Sequence, residues 1–187
     1  MMNTVFETRR TLVRQWRFDD LRAYYALRSN PLVMKYIGEL FKDIKQAEEA
    51  LLSKTILDYS KYGYGRYAVV LKKSGDIIGN TGPLYLADLG KNDLAISLFP
   101  QYWGLGYGTE ILSGCVRYVF EQLTLPDLIG LVDPLNVASS KLLMKIGMTY
   151  SGQITYHNEI CDLYSLTKQD WSNRPVHRTF KSIESSD

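Results

Sequence analysis

The sequence predicts a mixed α/β (α+β) domain in which about seven strands form a largely antiparallel sheet flanked by about four helices. Two observations support this. Segments with strand-like patterns lie in both halves of the chain, and segments of helical periodicity precede and separate them. A stretch with three glycines in five residues, Gly104 to Gly108, then joins three consecutive strand patterns to the clearest helical pattern.

Helical segments dominate the first third of the chain. Residues 10–14, RTLVR, predict a short strand. Residues 18–28 have apolar side chains at helical spacing and are followed by a break at Asn30 and Pro31. One further helical turn is expected over residues 31–36, and a long amphipathic helix over residues 44–60.

The middle of the chain predicts an antiparallel meander of three strands. These cover residues 66–72, 77–86 and 93–99, and the turn residues KSGD join the first two. The meander runs directly into the glycine loop, by which we mean residues 103–109. Beyond this loop one apolar stripe predicts a helix packed on the sheet, formed by Leu112, Cys115, Val116, Val119, Phe120 and Leu123.

Beyond Pro126 the pattern predicts three more strands and one more helix. The strands cover residues 128–132, 148–156 and 159–167, and the last two form a hairpin. The helix covers residues 137–146 and ends at Gly147. We expect one domain over residues 1–171 and a C-terminal tail over residues 172–187, with Trp171 in a peripheral position.

Composition limits the function classes. The 187 residues are 45% hydrophobic and 22% charged, which excludes a disordered chain, and a net charge of +2 gives no support for a nucleic-acid partner. No apolar run is long enough for a membrane helix, so we expect a cytoplasmic protein without a membrane partner. Cys115, Cys161, His157 and His177 suggest neither a metal site nor a Cys–His nucleophile.

The glycine loop predicts an anion site. A strand that enters a helix through a glycine-rich turn gathers unpaired backbone N–H groups at the positive end of the helix dipole. Gly104, Gly106 and Gly108 allow close approach of a phosphate, and Thr109 adds a hydroxyl. The alternative is a tight turn without a ligand.

Two other phosphate-binding motifs fit less well. A P-loop needs Gly-Lys-Ser/Thr, which does not follow here. A dinucleotide fingerprint needs Gly or Ala where Thr109 stands, although Asp133 is placed like its ribose-binding acid. The antiparallel meander before the loop argues against this second alternative.

The segment WGLGYGTE resembles motif A of the GNAT superfamily of acetyl-CoA-dependent N-acetyltransferases, usually Q/R-x-x-G-x-G/A. Gly106 and Gly108 match its glycines, and Trp103 stands where Gln or Arg is commonest. This spelling is similar to the branch of ribosomal-protein N-terminal alanine acetyltransferases of the RimJ and RimL type. Further segments resemble that branch in the same order, namely RTLVR, SNPLVMKY, IIGNTG, NVASSKLLMKIGM and DLYSLTKQDW.

The resemblance implies the GNAT fold, splayed between the fourth and fifth predicted strands, with acetyl-CoA as cosubstrate. Backbone groups of Ile96 and Leu98 would bind its pantetheine arm along the open strand edge. The loop residues implied in cofactor binding, with the diphosphate on the last five, are Trp103, Gly104, Leu105, Gly106, Tyr107, Gly108 and Thr109.

Direct acetyl transfer to an amine needs a proton acceptor and a donor to the leaving sulfur. Asn136 and Ser139 match the N-x-x-S element of the branch, so Asn136 would contact the cofactor or substrate and Ser139 the sulfur. For Asn136 the alternative is simple helix capping. The tyrosine acid of many members corresponds to Leu143, and Asp93 is the candidate base, with a solvated strand-end carboxylate as the alternative.

The acceptor amine is the least specified partner. Family members acetylate protein N-termini, polyamines, aminoglycosides and amino acids, and the branch favours a protein N-terminus. A homodimer is compatible with the resemblance, and a noncatalytic CoA-binding regulatory protein is the alternative from another class. A few of the tyrosines in the first third would line the amine pocket, drawn from Tyr24, Tyr25, Tyr36, Tyr62, Tyr64 and Tyr67.

Overall fold

The structure, a computed structural model, describes residues 4–174, and within them eight strands form a single sheet. The strands are β1 (Thr4–Glu7), β2 (Thr11–Arg14), β3 (Tyr67–Leu71), β4 (Ile77–Leu86), β5 (Lys91–Leu98), β6 (Asp127–Val132), β7 (Thr149–Tyr156) and β8 (Glu159–Thr167). Their order is β1-β2-β3-β4-β5-β6-β8-β7. Every neighbouring pair is antiparallel except β5 and β6, which are parallel.

Helices connect and cover this sheet. They are α1 (Leu21–Arg28), α2 (Pro31–Met34), α3 (Ile44–Ala50), α4 (Leu57–Tyr62), α5 (Tyr107–Glu121), α6 (Val137–Lys145) and α7 (Lys168–Ser172). Single 3-10 turns at Phe18–Asp20 and Pro100–Tyr102 precede α1 and the glycine loop. In the described range none of the helices is both long enough and apolar enough to cross a bilayer.

The predicted mixed α/β architecture is confirmed, with one strand more than expected. The sequence does not predict β1, because only Phe6 among its four residues is buried and so no alternation is visible. Its pairing with β2 is also interrupted by an irregularity between Thr4 and Phe6. The strand therefore depends on tertiary contacts more than on its own sequence pattern.

The helix expected over residues 44–60 forms with a change of winding. Leu51–Ile56 is a π-helical segment between α3 and α4, and Gly63 ends the run with φ of 79°. The wider turn buries Leu51 and Thr55, and the Thr55 hydroxyl lies 3.0 Å from the Tyr24 hydroxyl of α1. Apolar periodicity alone does not distinguish such a segment from an ordinary helix.

The two faces of the sheet carry different helices. In β3 Tyr67 and Val69 belong to one buried cluster and Ala68 to the other, as alternation along a strand requires. The first cluster contains α5, whose predicted stripe is buried except for the half-buried Leu123. The second contains residues of α1, α2 and α3. Burial of its apolar stripe thus anchors α5, the helix that follows the glycine loop, on the sheet.

The peripheral position expected for Trp171 is wrong. Trp171 is 8% exposed, and its ring centroid lies 5.5 Å from that of Phe120 in α5. Arg174 continues the ordered chain by donating a hydrogen bond of 2.7 Å to the Ile146 carbonyl. The sequence does not predict this contact, because Trp171 follows the polar residues 168–170. The predicted tail over 172–187 lies outside the described residues beyond Arg174.

Candidate functional site

The glycine loop passes twice through the left-handed region of backbone conformation. Gly104 has φ of 71° and Gly106 has φ of 79°, values that other residues adopt only with strain. Gly106 is the N-cap residue of α5, and it provides no side-chain cap. The backbone N–H groups of the first helical turn, residues 107–109, therefore have no acceptor among the described residues.

Gly108 has a different reason to be glycine. A Cβ atom there would lie 3.0 Å from Cδ2 of Leu142 in α6, which is closer than an ordinary van der Waals contact. The bare position lets the first turn of α5 approach the Leu142 side chain of α6. Of the three predicted glycines, two shape the loop and the third permits helix packing.

Trp103 joins the glycine loop to the end of β5. Its indole Nε1 donates a hydrogen bond of 2.7 Å to the Leu98 carbonyl, while the side chain stays 48% exposed. Leu105 is 58% exposed at the tip of the loop. The loop is therefore open to solvent, and an anion can reach the N–H groups of residues 107–109.

Strand β5 presents two different edges. Phe99 N–H donates to the Ile78 carbonyl over 2.9 Å, which sets the alternation of the antiparallel ladder with β4. By this alternation Ser97 bonds to β4, whereas the backbone groups of Ile96 and Leu98 face β6. This is the orientation that binding of a pantetheine arm to Ile96 and Leu98 requires.

On the β6 side the pairing stops almost at once. Asp93 and Ile129 are the single pair in register between β5 and β6, so the two strands separate beyond it. We call the β6-facing side of β5 beyond Asp93 the open edge. The Ile96 backbone groups and the Leu98 N–H lie on it, whereas the Leu98 carbonyl is occupied by Trp103. The predicted splay between these strands is present.

Asp93 lies at the vertex of the splay. Its Oδ1 accepts a hydrogen bond of 3.1 Å from Leu131 N–H, and its Oδ2 forms an ion pair with Nη2 of Arg66. The carboxylate thus takes an N–H of β6 that a continued ladder would have used. Asp93 is 8% exposed, so the solvated alternative is wrong. Its role as base stays a prediction, since both carboxylate oxygens already accept hydrogen bonds.

Asn136 and Ser139 lie at the start of α6. Asn136 Oδ1 accepts a hydrogen bond of 3.2 Å from Ser139 N–H, so Asn136 is the N-cap. Its amide nitrogen and the half-buried Ser139 hydroxyl have no hydrogen-bond partner within residues 4–174. Leu143, which corresponds to the tyrosine acid of other members, is buried against Gly130 of β6.

The family follows from the comparison of the whole chain with known proteins. Residues 10–149 match the family model of the Acetyltransferase (GNAT) domain. The chain belongs to the GNAT acetyltransferase family. The uncharacterized N-acetyltransferase YoaA of Bacillus subtilis (strain 168) is similar, with 30% identity over 175 residues, which are 89% of this chain and 98% of YoaA. This GNAT protein is therefore an acetyl-CoA-dependent acetyltransferase.

Solved structures show the same fold. A GNAT-family acetyltransferase from Bacillus anthracis aligns with a TM-score of 0.73 and 23% identity, over 88% of this chain and 98% of that chain. AAC(6')-Ib in complex with ribostamycin and coenzyme A aligns with a TM-score of 0.75 and 16% identity, over 89% and 98%. The uncapped first turn of α5 and the open edge of β5 fit an acyl-CoA, because they offer N–H groups for a diphosphate and an unpaired strand edge for amide groups.

Within residues 4–174, the two cysteines and His157 of this GNAT protein are poorly placed for covalent catalysis. Burial raises the pKa of Cys115 to about 12, and it also raises the pKa of the half-buried Cys161. His157 lies in the β7–β8 turn with φ of 48°, and its ring contacts Tyr156. These groups provide no activated nucleophile, so the site suits direct transfer between the bound thioester and an amine.

Of the six tyrosines proposed for the amine pocket, two belong to the core. Tyr24 packs edge-on against Trp16 with ring centroids 5.1 Å apart, and Tyr67 stacks on Tyr59 at 5.3 Å. Tyr25, Tyr36, Tyr62 and Tyr64 are half-buried. Their role in an amine pocket stays a prediction for these four.

Sequence reasoning missed the residues that support the glycine loop. Glu110 in the first part of α5 accepts hydrogen bonds of 2.7 Å from the Thr8 hydroxyl, from Arg10 N–H and from Arg10 Nε. Burial opposes the charged form of this carboxyl, but the hydrogen bonds outweigh it and lower the pKa of Glu110. The partners are about a hundred residues apart in sequence, so no local pattern indicates the contact.

Proposed function

We propose that the protein acetylates the primary amine of a protein N-terminus by direct transfer from acetyl-CoA. The observation that carries the transfer from acetyl-CoA in this proposal is the juxtaposition of the uncapped α5 N-terminus with the open edge of β5. The first offers N–H groups to a diphosphate, and the second offers backbone groups to an extended arm. Together they support a thioester laid along β5 with its acetyl group toward Asp93.

In the proposed reaction the amine nitrogen bonds to the acetyl carbonyl carbon and the carbon–sulfur bond breaks. The amine loses a proton and the departing thiolate gains one. An N–H on the open edge of β5, such as that of Ile96, stabilises the negative charge that develops on the carbonyl oxygen. Backbone donors suit this task because they are already oriented in the folded protein.

Ser139 and Asn136 are proposed to act on the leaving group, the thiolate of CoA, and on its pantetheine arm. The Ser139 hydroxyl donates to the sulfur or orients a water there, and the Asn136 amide nitrogen contacts the arm. Leu143 cannot donate a proton, so the acid of other members has no equivalent at that position. We propose that Asp93 chiefly keeps β5 and β6 apart at the vertex of the splay. Substitution by asparagine tests whether it also acts as the general base.

The choice of acceptor rests on resemblance. The RimJ/RimL-like spelling of the glycine loop favours a protein N-terminus, and a candidate ribosomal-protein-serine acetyltransferase from Vibrio cholerae aligns with a TM-score of 0.73. A spermidine N-acetyltransferase from Vibrio cholerae aligns as well, with 0.74. The fold alone therefore does not select the acceptor.

Turnover over a panel of amines tests the proposal. The panel contains peptides beginning with Ala or Ser, spermidine, an aminoglycoside and free amino acids, with thiol release as readout and mass spectrometry of the product. We expect the highest kcat/KM for a peptide N-terminus. A preference for any small amine would replace the proposed acceptor, and absence of turnover with all of them would favour a noncatalytic CoA-binding protein.

We also propose a cytoplasmic location, where acetyl-CoA and nascent chains are both present. Cys115 and Cys161 are free, as expected for a reducing compartment. A homodimer stays a prediction that sedimentation analysis of the purified protein can test.

A further inference from the structure

Arg10 connects the N-terminal hairpin to the glycine loop and to the start of α5 through its backbone N–H and its guanidinium group. Its backbone N–H and Nε hold the two oxygens of Glu110, each over 2.7 Å. Its Nη1 donates a hydrogen bond of 3.0 Å to the Leu105 carbonyl. Its guanidinium carbon also lies 3.8 Å from the ring centroid of Tyr107. One side chain thus contacts three positions at or next to the loop.

The bond to Leu105 fixes the orientation of the next peptide N–H. A trans peptide is planar, with its carbonyl and its N–H pointing in opposite directions. Because the Leu105 carbonyl points at Arg10, the N–H of Gly106 points away from Arg10. Gly106 bounds this peptide unit and Gly104 lies one residue before it, and both have left-handed conformations that glycine can easily leave. Without the Arg10 hydrogen bond, we expect this peptide unit to change its orientation more easily.

The ion pair with Glu110 has a second effect. Glu110 lies within one turn of the N–H groups of residues 107–109, where its negative charge would repel an anion. Arg10 Nε lies 2.7 Å from Glu110 Oε2 and offsets this charge. The side chains of the pair are 30% and 18% exposed, so solvent screens them only in part.

We propose that Arg10 is a positioning residue for acetyl-CoA, which orients the Leu105–Gly106 peptide and neutralises Glu110 so that the glycine loop is preorganised for a diphosphate. This inference rests on the proposed function, because it assumes that the loop binds the diphosphate. Preorganisation raises affinity by removing the entropy cost of ordering the loop on binding.

The test compares acetyl-CoA with acetylpantetheine, which has the same thioester and arm but no diphosphate. For Arg10→Met, with the best acceptor of the amine panel, we expect kcat/KM for acetyl-CoA to fall about tenfold, chiefly through KM. The value for acetylpantetheine should not change. Calorimetric titration with CoA should show the same weakening without any acceptor present.

Arg10→Lys separates charge from geometry. A lysine ammonium retains the charge but lacks the planar fork that reaches Glu110 and Leu105 together. We expect its kcat/KM for acetyl-CoA to lie between those of wild type and Arg10→Met. Full recovery by lysine would overturn the role assigned to the Leu105 hydrogen bond.

Arg14→Met is the matched control. It breaks the buried ion pair between Arg14 and Asp20, which lies in the same N-terminal region but makes no contact with the glycine loop. It should lower thermal stability and leave the ratio of kcat/KM for the two donors unchanged. An effect of Arg14→Met on that ratio equal to that of Arg10→Met would reduce Arg10 to a structural residue.

Gly106→Val distinguishes failure of this inference from failure of the proposed function. If Gly106→Val lowers the donor ratio and Arg10→Met does not, the loop binds the diphosphate but Arg10 does not position it. If neither variant changes the ratio, the diphosphate binds elsewhere, and both the proposed site and the role of Arg10 are wrong.

Discussion

The two edges of β5 show how one strand serves both fold and function. Toward β4 it forms eight residue pairs in continuous register, and toward β6 it forms one. The first edge satisfies its backbone groups within the protein and so stabilises the sheet. The second leaves groups of Ile96 and Leu98 for a ligand. Asp93 lies where the two edges diverge, and its side chain takes the Leu131 N–H that a continued ladder would use; we propose that it maintains this difference.

The largest effect is expected at the glycine loop above the open edge. Gly106→Val should abolish CoA binding, because valine cannot adopt φ of 79° without strain and the loop would change shape. Gly75 in the β3–β4 turn has the same φ of 79° and open space around it, so Gly75→Val is a matched control. Both variants should lose about 2 kcal/mol of stability.

Thermal unfolding and calorimetric titration with CoA measure these two quantities. Only Gly106→Val should lose CoA affinity. Equal CoA affinity in the two variants would show that the glycine loop is a tight turn without a ligand.

A smaller effect is expected at the vertex between the edges. Asp93→Ala leaves the half-buried Arg66 without its carboxylate partner, and it should cost about 3 kcal/mol of stability in urea unfolding. Asp93→Asn keeps an acceptor for Leu131 N–H, so it should preserve the splay better than alanine does. The exposed pair of Lys72 and Glu7 provides a control, since Lys72→Ala should cost less than about 1 kcal/mol.

The asparagine variant also tests Asp93 as base. If Asp93 only holds the vertex, Asp93→Asn retains most of kcat. A large loss of kcat in a stable Asp93→Asn protein, with an altered pH profile of kcat, would assign the proton transfer to this residue.

A more limited effect is expected across the splay, at α6. Ser139→Ala should lower kcat about tenfold and leave CoA affinity unchanged, because the hydroxyl acts on the leaving sulfur. Ser113→Ala, on the exposed side of α5, is the control and should change neither quantity. An unchanged kcat for Ser139→Ala would show that Ser139 has only a structural role in α6.

The smallest effect is expected for the thiols. Cys115 is fully buried and its pKa is raised to about 12, so iodoacetamide should label only Cys161 in the native protein. Cys161→Ala should retain full turnover. Loss of turnover in that variant, or an acetylated cysteine detected by mass spectrometry, would contradict direct transfer.

Local sequence patterns predicted much of the fold and part of the site. The α5 stripe and the glycines of the loop could be predicted, because helical periodicity and left-handed turns require particular residue types within a short stretch of sequence. The contacts of Arg10 with Glu110 and of Asp93 with Arg66 are not visible, because folding joins segments far apart in sequence. β1 and the π-helical segment were missed for a related reason, since tertiary packing sets their conformation.

The most direct test of the central claim is a crystal structure of the protein with bound CoA. We predict diphosphate oxygens within about 3.2 Å of the backbone nitrogens of residues 106–109, and the pantetheine amides along the Ile96 edge of β5. A CoA molecule bound elsewhere, with the first turn of α5 free of its phosphates, would contradict the account.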